Sequence, residues 1–113
     1  MKRGDVYQTD LNPTVGSEQA GVRPAIIVSR DAINASSPVV VIVPLTSRSN
    51  KNVIYPSQVD LRMNEAGLTS DSVVLCEQVR AISRTKLRKH LGHVTSQRMA
   101  EINAALKIAL DLP

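Results

Sequence analysis

Phenylalanine and tryptophan are absent from this chain of 113 residues, and the only aromatic side chains are Tyr7 and Tyr55. The core must therefore be aliphatic, and platforms on which nucleic-acid bases stack are scarce. The single cysteine, Cys76, excludes an internal disulfide. With one cysteine and two histidines, a structural zinc site is disfavoured.

Targeting and membrane-spanning segments are also missing. No charged and then apolar leader opens the sequence, and no apolar run is long enough to cross a bilayer. Together with the lone cysteine, this predicts a soluble cytoplasmic protein without a membrane partner. The length fits one domain with a real core. Fourteen Lys and Arg against ten Asp and Glu give a formal charge of +4, which modestly favours a polyanionic partner.

Short apolar segments between turn signals predict a mainly β protein. The continuous runs Ala25–Ser29 and Val39–Leu45 are typical of strands buried on both faces. Further strands are expected at Arg3–Leu11, at Val53–Leu61 with interruptions, and at Ser72–Leu75 and Gln78–Ile82, which can also be one bent strand. A turn or the end of a short helix is expected at Asn64–Gly67, and a loop at Asp31–Ser37.

The last third of the chain predicts helix. Arg84–Leu91 fits one or two helical turns ending at Gly92. From an N-cap at Thr95, apolar residues recur at helical spacing through Asp111. The helix has a second apolar stripe, which favours a homodimer interface over a helix buried only in its own domain. Short strands followed by one helix fit a small, partly open β-barrel with a helical cover.

The segment Gly16–Pro24 carries the densest chemistry of the chain. Its two glycines make the backbone permissive, and Pro24 holds Arg23 extended, so that a guanidinium is presented where a strand begins. A flexible flap beside a fixed arginine suits an anionic ligand. We therefore expect the active site here.

RNA can be cleaved by its own 2′-hydroxyl without a protein nucleophile. The phosphate must be held in line, its developing charge neutralised and protons moved. Arg23 offers planar donors to phosphate, but it is a reluctant base because the pKa of arginine lies above about 12. Thr46 ends an apolar strand where a hydroxyl can face a cleft. The alternative for Thr46 is an ordinary strand-end hydrogen bond.

Other chemistries fit these residues less well. Metal-dependent hydrolysis lacks paired carboxylates with a histidine at ligand spacing, and no phosphate-binding glycine loop is present. Cys76 is typical of a buried small hydrophobe rather than a nucleophile. His90 and His93 invite comparison with acid–base histidine pairs of ribonucleases, but their basic segment predicts a solvated connection into the last helix.

Four motifs, in their order and spacing, resemble the MazF/PemK family of toxin endoribonucleases, the toxic partners in bacterial type II toxin–antitoxin pairs. They are Arg3–Tyr7, Gly16–Pro24, Pro44–Ser47 and Asp71–Arg80, and the similarity covers nearly the whole chain. The resemblance implies an SH3-like, partly open β-barrel with a C-terminal helix, assembled as a homodimer. It also implies cofactor-free, metal-independent cleavage of single-stranded RNA at selected sequences, which leaves a 2′,3′-cyclic phosphate and a 5′-hydroxyl.

The resemblance also assigns roles to residues of this chain. Arg23 and Thr46 correspond to the catalytic pair, and Glu18 to a supporting catalytic or RNA-binding group. The general base is either Glu18 or an Arg23 of lowered pKa. The implied RNA-binding residues are Ser17, Gln19, Ser47, Glu77 and Gln78. From the bare sequence, Glu77 and Gln78 fit a polar strand edge instead.

The implied protein partner is a cognate antitoxin whose acidic, partly disordered segment folds over the RNA groove. Base recognition is expected from the exposed segments Asp31–Ser37 and Ser47–Tyr55. Two alternatives have the same fold: a non-catalytic toxin that binds DNA gyrase, and an inert SH3-like module that binds RNA.

Overall fold

Seven strands form one antiparallel sheet in the computed structural model, which describes residues 1–113. The strands are β1 (Asp5–Asp10), β2 (Val22–Ile27), β3 (Val39–Ser47), β4 (Gln58–Leu61), β5 (Ser72–Leu75), β6 (Arg80–Ser83) and β7 (Leu87–His93), and the helices are α1 (Asp31–Ser36) and α2 (Ser96–Leu110). Single 3₁₀ turns occupy Arg48–Asn50, Glu65–Gly67, Cys76–Gln78 and Arg84–Lys86. Neither α-helix has the length and apolar character that a bilayer crossing requires.

The nine-residue strand β3 is the centre of the sheet. Its residues 39–42 pair with β6, residues 42–44 with β2, and residues 45–47 with β5. The strand order is β4-β5-β3-β2-β1-β7, and the terminal strands β4 and β7 are not paired with each other. The expected β-barrel is therefore present and partly open. The bent-strand region resolves into β5 and β6, separated by the 3₁₀ turn Cys76–Gln78.

Aliphatic side chains fill two cores, because alternate residues of the central strands point to opposite faces. The larger core includes Ile26 and Val43 and is covered by Ile102 and Ala105 of α2. The smaller core contains Leu11, Ala25, Ile27, Val40, Ile42 and Ile82. The prediction that β2 and β3 are buried on both faces is confirmed over their central residues. The beginnings of both strands depart from it, since Val22 is 60% and Val39 is 42% exposed.

The terminal helix begins where the sequence predicts. The Thr95 hydroxyl oxygen accepts a hydrogen bond from the Arg98 backbone N–H at 3.2 Å, which satisfies one of the free donors of the first turn. The helix then extends to Leu110, and Asp111 follows in a left-handed conformation. Arg98 also donates two hydrogen bonds of 2.9 Å to the Glu65 carboxylate. These bonds tie α2 to the turn Glu65–Gly67.

The predicted helical turns over Arg84–Leu91 are wrong. Only Arg84–Lys86 is helical, as one 3₁₀ turn, and Leu87–His93 forms β7 against β1. The register shifts twice between these strands, so that Thr9 faces Leu87, Tyr7 faces His90 and Val6 faces Gly92. Such bulges interrupt the two-residue alternation of a strand. The apolar pair Leu87 and Leu91 therefore has a helix-like spacing within a strand.

Two other boundaries differ from the sequence predictions. The expected loop Asp31–Ser37 contains α1, whose Asn34 side chain is buried and donates to the Ser29 carbonyl oxygen at 2.7 Å. That contact fixes the helix against the end of β2. The interrupted strand expected over Val53–Leu61 is reduced to β4 at Gln58–Leu61.

Candidate active site

The flap, residues 16–21, is tied to the sheet at its base and to Gln78 at its tip. Gly16 and Gly21 have φ values of +61° and +79°, a left-handed conformation that favours glycine. At its base the Leu11 N–H donates to the Gly21 carbonyl oxygen at 2.9 Å. At its tip the Gln19 N–H donates to the Gln78 side-chain oxygen at 2.7 Å. Glycine conformations and one distant glutamine thus set the shape of the flap.

Arg23 is the second residue of β2, which begins directly after the flap, and it is half-buried. β2 pairs with β1 there, with Arg23 opposite Thr9. The Arg23 Nε donates to the Ala20 carbonyl oxygen at 3.3 Å, and no carboxylate lies within salt-bridge distance of the guanidinium. The terminal nitrogens therefore keep their donors for an anionic ligand.

Thr46 lies near the end of β3, where it pairs with Val73 of β5. Only 7% of its surface is exposed. Its hydroxyl oxygen accepts a hydrogen bond of 3.1 Å from the side-chain amide of Asn50, which belongs to the 3₁₀ turn that follows β3. Because Asn50 is the donor, the hydroxyl hydrogen of Thr46 is free to donate elsewhere.

Two clefts meet at Arg23 and Thr46 and form one groove. The first, of about 450 Å³, we name the Gln8 cleft; its polar wall consists of Gln8, Ser47, Thr69, Ser70 and Ser72. The second, of about 540 Å³, we name the Tyr55 cleft; besides the shared pair it is lined by Ser17, Gln19, Asn50, Lys51, Tyr55, Ser57, Gln58, Leu75, Glu77 and Gln78. Arg23 and Thr46, the predicted catalytic pair, are far apart in the sequence, but in the structure they line the same two clefts.

The structure brings all five predicted RNA-binding residues into this groove. Ser17, Gln19, Glu77 and Gln78 line the Tyr55 cleft, and Ser47 lines the Gln8 cleft. The Gln78 side chain already holds the flap, because its oxygen accepts from Gln19 and its nitrogen lies 3.5 Å from the Ser17 carbonyl oxygen. The direct contacts of these residues with RNA stay a prediction.

Glu18 is the predicted site residue that the structure places outside the groove. Its carboxylate accepts a hydrogen bond of 3.0 Å from the Val15 N–H. It lines a smaller cleft that adjoins the Tyr55 cleft, because the two clefts share Gln19, Glu77 and Gln78. The flap must rearrange before Glu18 can approach a phosphate beside Arg23.

Sequence reasoning missed several groove residues. Asn50, Lys51 and Tyr55 come from the expected base-reading segment Ser47–Tyr55, but no motif singled them out. Gln8, Thr69 and Ser70 are common polar residues without a recognisable pattern. The other segment expected to read bases, Asp31–Ser37, lines neither cleft, and that expectation is corrected accordingly.

The remaining reactive side chains lie outside the groove. Cys76 is buried, and burial, reinforced by the charge of Glu77, raises its pKa to about 12, so that it is no nucleophile near neutral pH. His90 and His93 lie on β7, exposed but not in a connection, and both approach Asp5. No three His, Cys, Asp or Glu side chains are grouped so as to hold a metal ion.

Residues 2–110 match the family model described as the PemK-like, MazF-like toxin of type II toxin–antitoxin systems. The chain belongs to this family. It is 41% identical over 112 residues to the endoribonuclease MazF of Staphylococcus saprophyticus, covering 99% of this chain and 92% of that protein.

Solved structures of other members show the same fold as this MazF/PemK-family toxin. One is an endoribonuclease in complex with its cognate antitoxin from a mycobacterial species, with a TM-score of 0.81 and 33% identity over 100% of this chain and 97% of that one. Another is MazF of Deinococcus radiodurans, with a TM-score of 0.82 and 28% identity over 98% and 96% of the two chains. The SH3-like, partly open barrel with a C-terminal helix that the resemblance implied is thus confirmed.

Proposed function

We propose that this MazF/PemK-family toxin is an endoribonuclease that cleaves single-stranded messenger RNA in the cytoplasm and thereby arrests translation and growth. The observation that carries the proposal is the meeting of Arg23 and Thr46 where the two clefts join. An unpaired guanidinium beside a donating hydroxyl, in a groove open at both ends, suits one phosphate of a continuous strand. The names of the relatives, which are endoribonucleases, support the same activity.

The chemistry requires no protein nucleophile. The 2′-oxygen of the nucleotide attacks the adjacent phosphorus, and the bond from phosphorus to the 5′-oxygen breaks. The products are a 2′,3′-cyclic phosphate and, once the leaving 5′-oxygen takes up a proton from solvent, a 5′-hydroxyl. Arg23 donates to the non-bridging oxygens, whose charge increases in the transition state. Thr46 donates its hydroxyl hydrogen to one of these oxygens and fixes the phosphate orientation.

Proton transfer from the 2′-hydroxyl is assigned to Glu18 after the flap closes over the RNA. The carboxylate must leave the Val15 N–H for this step. A Glu18→Gln variant keeps the shape but cannot accept the proton, so we expect kcat to fall about 100-fold or more while KM is retained. A variant with wild-type kcat would remove Glu18 from this role.

The groove holds the RNA on both sides of the scissile phosphate. In this proposal Ser17, Gln19, Glu77 and Gln78 contact the strand on one side, and Ser47 contacts it on the other. These groups are polar and non-aromatic, so in this proposal the hydroxyls and amides bond the backbone or base edges, and the Glu77 carboxylate accepts from base edges.

The mechanism is tested with an oligonucleotide in EDTA that carries one 2′-deoxy substitution. The cut positions in a long RNA are mapped first, and the nucleotide on the 5′ side of one cut is then replaced by its deoxy form. We expect cleavage at that position to stop while neighbouring cuts persist, and the other cuts to end in cyclic phosphate. Intact RNA at high protein concentration would favour a gyrase-binding toxin, and cleavage of the deoxy site would exclude 2′-hydroxyl attack.

The partners in this proposal are a second copy of the chain and an acidic antitoxin segment that occupies the groove. The +4 formal charge and the unpaired Arg23 favour an acidic ligand there. Antitoxin and RNA must then compete, and saturating antitoxin should abolish RNA binding in an anisotropy titration. Undiminished binding would place the antitoxin elsewhere.

A further inference from the structure

Tyr55 is the single aromatic ring in the groove. It is 57% exposed and lies in the same cleft as Arg23 and Thr46. The Lys51 ammonium is 5.5 Å from the ring centroid. The other tyrosine, Tyr7, packs against His90 and the smaller core, outside both clefts. The ammonium lies over one face of the ring, so the proposal needs only the opposite face for a base, and the cation is placed to hold that nucleotide's phosphate.

Gln58 connects this ring to Glu77. Its side-chain oxygen accepts from the Tyr55 backbone N–H at 3.2 Å, and its nitrogen donates to the Glu77 carboxylate at 2.6 Å. The two bonds fix both the start of β4 and the position of the carboxylate. Tyr55 and Glu77 line the same cleft. A base stacked on the ring is therefore placed beside a carboxylate, whose oxygens accept hydrogen bonds.

We propose that Tyr55 is a base-stacking platform and that Glu77, positioned by Gln58, selects a base with an amino group there. This inference rests on the proposed RNA-cleaving function. Adenine, cytosine and guanine can donate an amino hydrogen to the carboxylate. Uracil presents only N3–H, flanked by two carbonyl oxygens that the carboxylate repels, so it is disfavoured.

The two clefts then have different tasks. The Gln8 cleft offers hydroxyl and amide groups but no aromatic ring. It holds the sugar–phosphate chain without stacking a base. Base selection at the platform therefore occurs on one side of the scissile phosphate only.

The experiment compares wild type with Tyr55→Ala, Tyr55→Phe and the control Val53→Ala. Val53 lies on the same segment, is 56% exposed and lines neither cleft. Cut sites in a random RNA pool are sequenced, and kcat and KM are measured on one preferred oligonucleotide. Tyr55→Ala should raise KM roughly tenfold or more and flatten the preference at one position, because stacking on the ring is lost. Tyr55→Phe should retain both properties, and Val53→Ala should match wild type.

Glu77→Gln tests base selection separately. An amide both donates and accepts, so this variant should accept uracil at the position that Tyr55→Ala flattens. If Tyr55→Ala keeps the wild-type KM and cut sequences while its thermal unfolding is unchanged, the assignment of Tyr55 as a platform is overturned, whereas the proposed RNA cleavage is not. If Glu77→Gln discriminates against uracil as strongly as wild type does, the selection by charge is overturned. If the wild-type protein cuts no RNA, the proposed function and this inference are both overturned.

Discussion

One hydrogen bond between Thr46 and Asn50 orients the Thr46 hydroxyl group. The Asn50 amide donates to the Thr46 oxygen at 3.1 Å and leaves the hydroxyl hydrogen free to donate to a ligand. Thr46 itself could be identified from the sequence because it ends an apolar strand in a family motif. Asn50 could not, because its contact depends on the 3₁₀ turn Arg48–Asn50, which has no clear sequence signal.

Asn50→Ala should therefore lower kcat by about 10–100-fold, because a misoriented hydroxyl no longer supports the phosphate. Asn52→Ala is the matched control, since Asn52 is exposed and lines neither cleft. Single-turnover cleavage of one oligonucleotide gives both rates. If Asn50→Ala and Asn52→Ala cleave equally fast, Asn50 does not position Thr46.

The order and spacing of a motif do not reveal whether its residues act in chemistry or in folding, and Arg3 illustrates this. Arg3 belongs to the first motif of the family resemblance, yet its Nε donates to the Val28 carbonyl oxygen at 2.8 Å and a terminal nitrogen to the Asn103 side chain at 2.7 Å. These bonds join the N-terminus to β2 and α2. The motif residue is structural and lies outside the groove.

At the scale of elements, the turn Glu65–Gly67 packs closely against β7. A Cβ built on Gly92 would lie 2.5 Å from the Ala66 carbonyl carbon, a distance that real side chains do not allow. The sequence predicted a helix here because the two bulges hide the strand alternation. By contrast, β2, β3 and α2 were predictable, because their apolar residues follow one clear period.

Gly92→Ala should destabilise the protein by about 1–3 kcal/mol, because turn and strand must separate to admit the methyl group. The melting temperature should fall by roughly 5–15 °C. Lys89→Ala, an exposed position on the same strand, serves as the control in the same calorimetry. Equal melting temperatures for the two variants would mean that the turn is not packed on β7.

Glu65 and Arg98 make stability depend on pH. The hydrogen bonds from Arg98, followed by that from the Arg62 N–H, lower the pKa of Glu65. The ionised carboxylate therefore stabilises the fold above about pH 4.3, its usual value, and this contribution is lost as the pH falls through the lower pKa of the folded state. Acid removes this link between α2 and the turn.

Glu65→Gln should cost about 1–2 kcal/mol at pH 7, because the charged, two-point hydrogen bond is replaced by a neutral one. The difference from wild type should shrink as the pH falls through the lowered pKa of Glu65, because the wild-type carboxylate then takes up a proton as well. Urea unfolding of both proteins at several pH values measures this difference in the free energy of unfolding. A difference that stays constant from pH 7 to pH 3 would contradict the assignment.

At the scale of the molecule, the end of α2 exposes apolar surface. Ile108, Leu110 and Leu112 are each at least half exposed, at 57%, 50% and 54%. The sequence indicated this from the second apolar stripe of the helix. We infer that a second copy of the chain covers this surface.

The Leu110→Asp, Leu112→Asp double variant should therefore be monomeric where the wild type is a dimer, because two buried charges would oppose association. Light scattering after gel filtration at micromolar concentration reports the mass of both. A dimeric variant would place the interface elsewhere, and a monomeric wild type would exclude the dimer under these conditions.

The measurement that tests the central claim most directly is single-turnover cleavage of single-stranded RNA in EDTA by wild type, Arg23→Ala and Arg30→Ala. Both variants lose one positive charge, but Arg30 is exposed and lies outside the groove. We predict that Arg23→Ala cleaves at least about 100-fold more slowly, whereas Arg30→Ala retains the wild-type rate. Equal rates for Arg23→Ala and wild type, with both proteins folded, would contradict the assignment of Arg23 to the scissile phosphate.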